Sequence, residues 1–207
     1  MKEKEIQDEL TSIRSLMERS SKFLSLSGLS GILAGIYALI GAGAAYNLLN
    51  YDIPDFWYNG KYSFVGNLEI IALLSIAIAV LVASLVTGFI LSYRKAKLKG
   101  QPIWSAASRA LLFNMAVPLI TGGLLLLILI FRGYYGIICP LSLVFYGLSL
   151  VNAGNFTFGE VRYLGILEIL LGLIAACLPG YGLLFWAIGF GVLHIIYGSV
   201  MYFKYDR

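Results

Sequence analysis

The chain has 207 residues, 59% of them hydrophobic and 13% charged, with a mean hydropathy of +0.85. Soluble domains carry roughly 25% charged residues, so this composition excludes a water-soluble globule and fits a chain that exposes apolar side chains to lipid. The net charge of +4 comes from basic residues grouped in short segments. Such grouping is a topology signal, and it gives no reason to expect a nucleic-acid partner.

Residues 1–22 are predicted to form an amphipathic helix on the cytoplasmic side. Ile6, Leu10, Ile13 and Met17 recur at helical spacing and make one apolar stripe. Such a helix would lie on the membrane surface or pack on the protein's own loops. The alternative is a seam for a homodimer or for a cytoplasmic protein partner.

The remainder, residues 23–207, is predicted to be one all-α domain, a polytopic bundle of six transmembrane helices. Each apolar segment is close to or longer than the roughly 20 residues that one span requires. The predicted spans are 24–49, 68–93, 105–131, 135–152, 161–178 and 183–203. Residues 94–102 are read as a basic loop, and residues 50–67 as an aromatic loop with a short hairpin at its Asn59-Gly60 pair. That aromatic loop is either a belt at the headgroup level or a lid over the bundle.

The basic residues indicate the orientation. If the N-terminus lies inside, the inner segments hold nearly all of them, including the cluster at residues 94–99, and the outer segments hold only Lys61 and Arg132. With an even number of spans, the positive-inside rule places both termini in the cytoplasm.

A repeat of about 50 residues relates the third and fourth spans to the fifth and sixth. Arg109 and Arg162 open the third and fifth spans, and a polar residue, Asn114 or Glu168, follows each arginine five or six positions later. Tyr146-Gly147 and Tyr197-Gly198 occur in the fourth and sixth spans. This pattern indicates duplicated hairpins, as in some transporters, although apolar hairpins also resemble each other by composition.

Glu168 is a carboxylate within an apolar run, and such groups are costly in hydrocarbon unless they have a partner or a role. At about 1.5 Å per residue, Glu168, His194 and Asn114 lie roughly 12, 15 and 13 Å from the inner ends of their spans. Glu168 and His194 each share a helix face with small residues. We therefore predict that these two side chains meet, with Asn114 as a third member of the layer.

Three interpretations of this layer stay open. It is a structural hydrogen-bond network, a proton relay, or a ligand site or catalytic dyad. No nucleophile lies beside His194 in the sequence, which favours a protein that is not an enzyme. Arg109 is either an anchor at the inner interface or a counter-charge for Glu168 or an acidic ligand. With Tyr197, these residues form the predicted substrate or proton-relay site.

No cofactor is predicted. Cys139 and Cys177 match no metal spacing, and free thiols are favoured over a disulfide between them. A single histidine cannot supply both axial ligands of a b-type haem.

The segments at residues 19–28 and 183–198, the latter containing Trp186, His194 and Tyr197, resemble six-span bacterial inner-membrane proteins of unassigned activity. The resemblance covers most of the chain and implies location in a bacterial inner membrane, without implying a mechanism. Our first hypothesis is binding or transport of a small solute near Glu168 and His194, with proton coupling as one form of it. The alternative is a non-catalytic scaffold or signalling subunit.

Overall fold

The computed structural model describes residues 22–49, 67–100 and 102–207, and these are almost entirely helical, with no strand among them. We number six helices in chain order. They are α1 (Gly28–Leu48), α2 (Asn67–Leu98), α3 (Ala106–Phe131), α4 (Ile138–Ala153), α5 (Gly159–Cys177) and α6 (Gly182–Asp206). A single 3₁₀ turn, Tyr135–Ile137, leads into α4.

The all-α prediction is confirmed for the described residues. Five helices, α1, α2, α3, α4 with its leading turn, and α6, are long and apolar enough to cross a membrane. The 19 residues of α5 carry Glu160, Arg162 and Glu168, and α5 is not among the five. Six spans therefore stay a prediction. The helix predicted over residues 1–22 and the aromatic loop at 50–67 lie, apart from Lys22 and Asn67, outside the described residues.

Two helix boundaries differ from the prediction by four residues or more. The prediction of a basic loop at residues 94–102 is wrong in its first half, because α2 continues to Leu98. Helix-breaking chemistry comes only afterwards, at Gly100 with φ +62° and at Pro102. At the other end of the chain, α1 begins at Gly28 rather than at residue 24, because residues 23–27 are not helical.

The most extensive helix pair is α4 with α5, and glycines allow their close approach. A Cβ atom added to Gly172 would collide with the Pro140 carbonyl and with Val144. A Cβ atom added to Gly165 would collide with the Gly147 carbonyl. The two backbones are therefore in direct contact at both positions.

The pair α1 and α6 repeats this interface. A Cβ atom on Gly35 would collide with the Gly191 carbonyl and with Ile195, and one on Gly28 would collide with the Gly198 carbonyl. The α4 contacts at Pro140, Val144 and Gly147 correspond to the α6 contacts at Gly191, Ile195 and Gly198, always the same number of positions later. The α5 and α1 glycines also correspond at one constant separation, Gly165 to Gly28 and Gly172 to Gly35. The two interfaces thus use equivalent positions, as expected for repeated hairpins.

The remaining helices are peripheral. The helix α2 packs on α1, and α3 packs on α4. Both expose long apolar faces, such as Leu85 and Phe89 on α2 and Phe113 on α3. A buried apolar cluster lies where the start of α5 meets the ends of α4 and α6, and it includes Leu150, Leu164 and Met201.

Candidate functional site

Glu168 lies in the middle of α5, and its side chain is completely buried. Its carboxyl group rests against Gly189 of α6. A Cβ atom at Gly189 would collide with the carboxylate and with the Leu143 side chain. The absence of a side chain at this position therefore makes room for the carboxyl group between α5 and α6.

The part of α6 that faces Glu168 is π-helical over Ala187–Leu193, and ordinary α-helix resumes at His194. Short π-helical segments are rare and occur often at functional sites. The His194 ring reaches back along this segment, and its Nδ1 lies 3.0 Å from the Gly189 carbonyl oxygen. The irregular turn thus sets the position of the ring.

The hydrogen bonds of His194 define the tautomer of its neutral ring. A carbonyl oxygen only accepts, so Nδ1 must carry the hydrogen that is donated to Gly189. The other nitrogen, Nε2, then accepts from the Tyr146 hydroxyl, which lies 2.7 Å away on α4. Both ring nitrogens of His194 are therefore satisfied without Glu168.

The Glu168 carboxyl group lies beside this histidine but is not hydrogen-bonded to it. Its Oε1 is 3.5 Å from His194 Nδ1, which suits an ion pair with a charged ring and is long for a hydrogen bond. Both carboxyl oxygens are buried and have no hydrogen-bond partner among the described residues, and the same holds for the Tyr197 hydroxyl. Buried polar groups nearly always have partners, so these atoms require an explanation.

Aromatic rings line α6 on the approach to this pair. Trp186, Phe190 and His194 recur every four residues, with ring centroids 5.1 Å apart for the first pair and 5.9 Å for the second. The Tyr146 ring lies 4.9 Å from Phe190 and 5.4 Å from His194. We call Trp186, Phe190 and Tyr146 the aromatic column.

The structure brings together only part of the predicted site. Glu168 and His194 are adjacent, and Tyr197 lies one turn beyond His194 with its hydroxyl buried. Asn114 does not join them, because its Nδ2 donates to the Ala110 carbonyl of its own helix at 2.8 Å and α3 packs mainly on α4. Arg109 is exposed near the start of α3, and no ion pair of the described residues joins it to Glu168.

Four residues of the site are missing from the predicted set, namely Tyr146, Gly189, Trp186 and Phe190. The partner role of Tyr146 depends on the packing of α4 against α6, and the role of Gly189 depends on the π-helical turn. Neither leaves a signal in the sequence. The spacing of Trp186, Phe190 and His194 places them on one face of a helix. The sequence therefore contained a signal for the α6 part of the aromatic column.

A second polar group lies at the end of the bundle that contains the C-terminus. The Lys95 ammonium pairs with the Asp206 carboxylate, with side chains only 11% and 10% exposed, and it also donates to the Leu26 carbonyl at 2.6 Å. The other oxygen of Asp206 accepts from the Gly28 backbone N–H at 2.8 Å and from the Ser27 hydroxyl at 3.2 Å. We call this group the Lys95–Asp206 cluster.

Contacts of residues 23–27 explain why α1 starts late. The Phe23 N–H donates to the Phe156 carbonyl, the Thr157 hydroxyl donates to the Phe23 carbonyl, and Lys95 of the cluster donates to the Leu26 carbonyl. These bonds hold the segment in a non-helical path. Asp206 then supplies the acceptor that the first turn of α1 needs. A carboxylate at a helix N-terminus is also favoured by the helix dipole.

A third ion pair lies at the same end and is more exposed. Glu160 accepts from Lys204 at 2.5 Å and from the Tyr205 hydroxyl at 2.9 Å. Partial burial raises the pKa of Glu160, but the two hydrogen bonds and the charge of Lys204 outweigh it, so the pKa of this carboxyl lies below its ordinary value.

The described residues contain no group of three His, Cys, Asp or Glu side chains that could hold a metal ion. Cys139 and Cys177 are free thiols. Comparison of the chain with protein-family models, with curated proteins and with solved structures finds no match. What the protein does must therefore be inferred from its own residues.

Proposed function

We propose that the chain is a six-span protein of a bacterial inner membrane, with both termini in the cytoplasm, that binds and moves a small solute at Glu168 with proton coupling. The apolar helices and the distribution of basic residues support the membrane topology. The sixth span would be α5, which packs extensively on α4 and contacts α6. Its central charge, Glu168, is buried inside the protein.

One observation carries the functional proposal: the fully buried Glu168 carboxyl group has no hydrogen-bond partner among the described residues. A purely structural network requires each member to satisfy another. His194 is the nearest candidate, but its two ring nitrogens already bond to Gly189 and Tyr146. The carboxyl group is therefore left available for a proton or a solute, which is the usual role of such residues in membrane proteins.

The geometry also supports a route for the proton. The Nδ1–H of His194 has two acceptors within reach, the Gly189 carbonyl at 3.0 Å and Glu168 Oε1 at 3.5 Å. A proton reaches Nε2 from the Tyr146 hydroxyl, which gives up its own proton and takes another, and the ring becomes cationic with a hydrogen on each nitrogen. The ring then returns to neutrality by passing its Nδ1 hydrogen to the Glu168 carboxylate, and the hydrogen left on Nε2 points to the Tyr146 oxygen.

Proton flux into proteoliposomes tests this proposal. We expect Glu168→Gln to reduce the flux at least about tenfold, since the amide cannot exchange a proton, and His194→Ala to reduce it similarly. The matched control is Glu69→Gln, which changes an exposed carboxylate near the start of α2. If Glu168→Gln and His194→Ala both conduct like the wild-type protein and are equally stable, the proposed site is excluded.

The alternative is a scaffold or signalling subunit that docks a cytoplasmic protein on residues 1–22. One observation favours it: the segment that follows, residues 23–27, is held by hydrogen bonds to Phe156, Thr157 and Lys95. A partner bound to the preceding residues would be held firmly against the bundle. In that case deletion of residues 2–21 abolishes complex formation in cells, and Glu168→Gln leaves it unchanged.

A further inference from the structure

We propose that the solute is a monovalent organic cation, which approaches Glu168 along the aromatic column and exchanges there with a proton. This inference rests on the proposed function and adds the chemical class of the solute. It combines two independent features of the site, the unpaired buried carboxyl group and the row of aromatic rings that leads to the adjacent His194.

Charge balance favours a cation. The groups that face the Glu168 carboxyl are Gly189 and His194 from α6, and Tyr146 reaches the same histidine from α4. None of these supplies a permanent positive charge, and no lysine or arginine of the described residues forms an ion pair with Glu168. An ionised Glu168 therefore needs one positive charge that comes from outside, either as a proton on His194 or as a cationic solute. An anionic solute would meet a like charge, whereas a cation balances the carboxylate while His194 stays neutral.

The surroundings favour an organic cation over a metal ion. Mg²⁺ and Ca²⁺ take six or more oxygen ligands, whereas the described oxygens at the site are the Glu168 carboxyl, the Tyr146 hydroxyl that bonds to His194 and the engaged Gly189 carbonyl. Aromatic faces, in contrast, attract ammonium groups through the negative face of the ring, most strongly at tryptophan. Trp186 and Phe190 carry such rings on the two turns of α6 that precede His194.

The exchange balances in charge and atoms. When the cation arrives, a protonated Glu168 passes its proton to solvent by the reverse of the route through His194 and Tyr146, and the carboxylate then pairs with the cation. Because Glu168 is fully buried, the surrounding side chains must move to admit the cation, and the half-buried Phe190 ring beside His194 is one of them. The π-helical segment Ala187–Leu193 carries this ring, and its irregular hydrogen bonding is the part of α6 best suited to such a change.

The test uses the purified full-length chain in weakly buffered detergent with a pH indicator. The probes are tetramethylammonium, benzyltrimethylammonium and tetraphenylphosphonium, with neopentylbenzene as the neutral isostere of the second and sodium chloride at matched ionic strength. Calorimetry measures binding, and the indicator measures the protons released. We expect at least one organic cation to bind with release of about one proton per cation, as linkage requires, and neopentylbenzene to release none.

Four variants assign the binding to this site. Glu168→Gln should abolish proton release and weaken binding at least about tenfold, while Glu168→Asp, which keeps the charge, should retain both. Phe190→Leu should weaken binding about 3- to 30-fold, the range expected for one cation–π contact. The matched control is Phe89→Leu, which changes an exposed ring on α2 and should leave binding unchanged.

The outcomes separate the two proposals. If proton flux depends on Glu168 but no organic cation binds, or neopentylbenzene binds as well as its charged isostere, the inference about the solute is wrong and the proposed function stands. Binding that is unaffected by both Glu168→Gln and Phe190→Leu also overturns the inference. If proton flux is independent of Glu168 as well, both proposals fail.

Discussion

The two polar regions of the molecule treat charge in opposite ways. In the Lys95–Asp206 cluster, each charged group has several partners, including the backbone of α1. In the centre of the bundle, the carboxyl group of Glu168 has none among the described residues, although His194 is 3.5 Å away. The first arrangement is what a structural role requires. The second lowers the stability of the fold, so we expect it to serve another purpose.

This contrast makes the two regions distinguishable by mutation. Removing one partner of a buried pair leaves the other charge uncompensated and is strongly destabilising. Removing a buried group that has no partner relieves a cost instead. Unfolding of variants in detergent micelles measures this difference.

Asp206→Ala should lower the free energy of unfolding by about 3–5 kcal/mol, the range seen when one member of a buried ion pair is removed. It leaves the Lys95 ammonium buried without its counter-charge and removes the acceptor for the Gly28 N–H. The double variant Lys95→Met/Asp206→Leu should recover part of this loss. A loss below about 1 kcal/mol would show that the cluster behaves like an exposed surface pair.

Glycine substitutions compare the two regions by packing. A Cβ atom at Gly28 would collide with the backbone of Tyr202, which cannot move away, whereas one at Gly189 would collide with the side chains of Glu168 and Leu143. We expect Gly28→Ala to cost about 2–3 kcal/mol and Gly189→Ala about 1 kcal/mol. Gly123→Ala is the control, because nothing lies within 4 Å of its added Cβ atom. Equal costs at Gly28 and Gly189 would remove this difference between the regions.

Glu168→Met should raise the free energy of unfolding by about 1–2 kcal/mol while proton flux is lost, since an apolar side chain of similar size replaces a buried group without a partner. Thermal unfolding and the flux assay, applied to the same preparation, measure both quantities. If the variant is less stable than the wild-type protein, Glu168 belongs to a structural network and the two polar regions do not differ in this respect.

The smallest effect concerns Glu160 and depends on pH. Because folding lowers the pKa of Glu160, its contribution to stability is fully present above the unfolded value of about 4.3 and is lost as the pH falls through the folded value. Melting temperatures measured between pH 7 and pH 3 should show a wild-type advantage over Glu160→Gln that disappears at the acid end. A constant difference across this range would exclude the link between the ionised carboxyl and Lys204.

The centre of the site could be predicted from the sequence, but the Lys95–Asp206 cluster could not. Glu168 and His194 each recur with small residues at helical spacing, and this pattern is enough to bring their helix faces together. The pairing of Lys95 with Asp206 depends on helical residues beyond both predicted spans, since α2 continues to Leu98 and α6 to Asp206. Asn114 was predicted to join the layer, but a bond to its own helix at Ala110 is as compatible with the sequence as a bond across the bundle.

The position of Asp206 has a consequence for how the protein is made. Ribosomal synthesis produces α1 before α6, yet the acceptor for the first turn of α1 is Asp206, the last residue of α6 and of the six described helices. The glycine contacts of α1 with α6 are formed equally late. During membrane insertion α1 must therefore wait with an uncapped N-terminus that water or lipid headgroups satisfy. Its final docking brings together Gly28 and Asp206, which are 178 residues apart in the sequence. Contacts between residues so far apart form slowly, so we expect this docking to be a slow step of assembly.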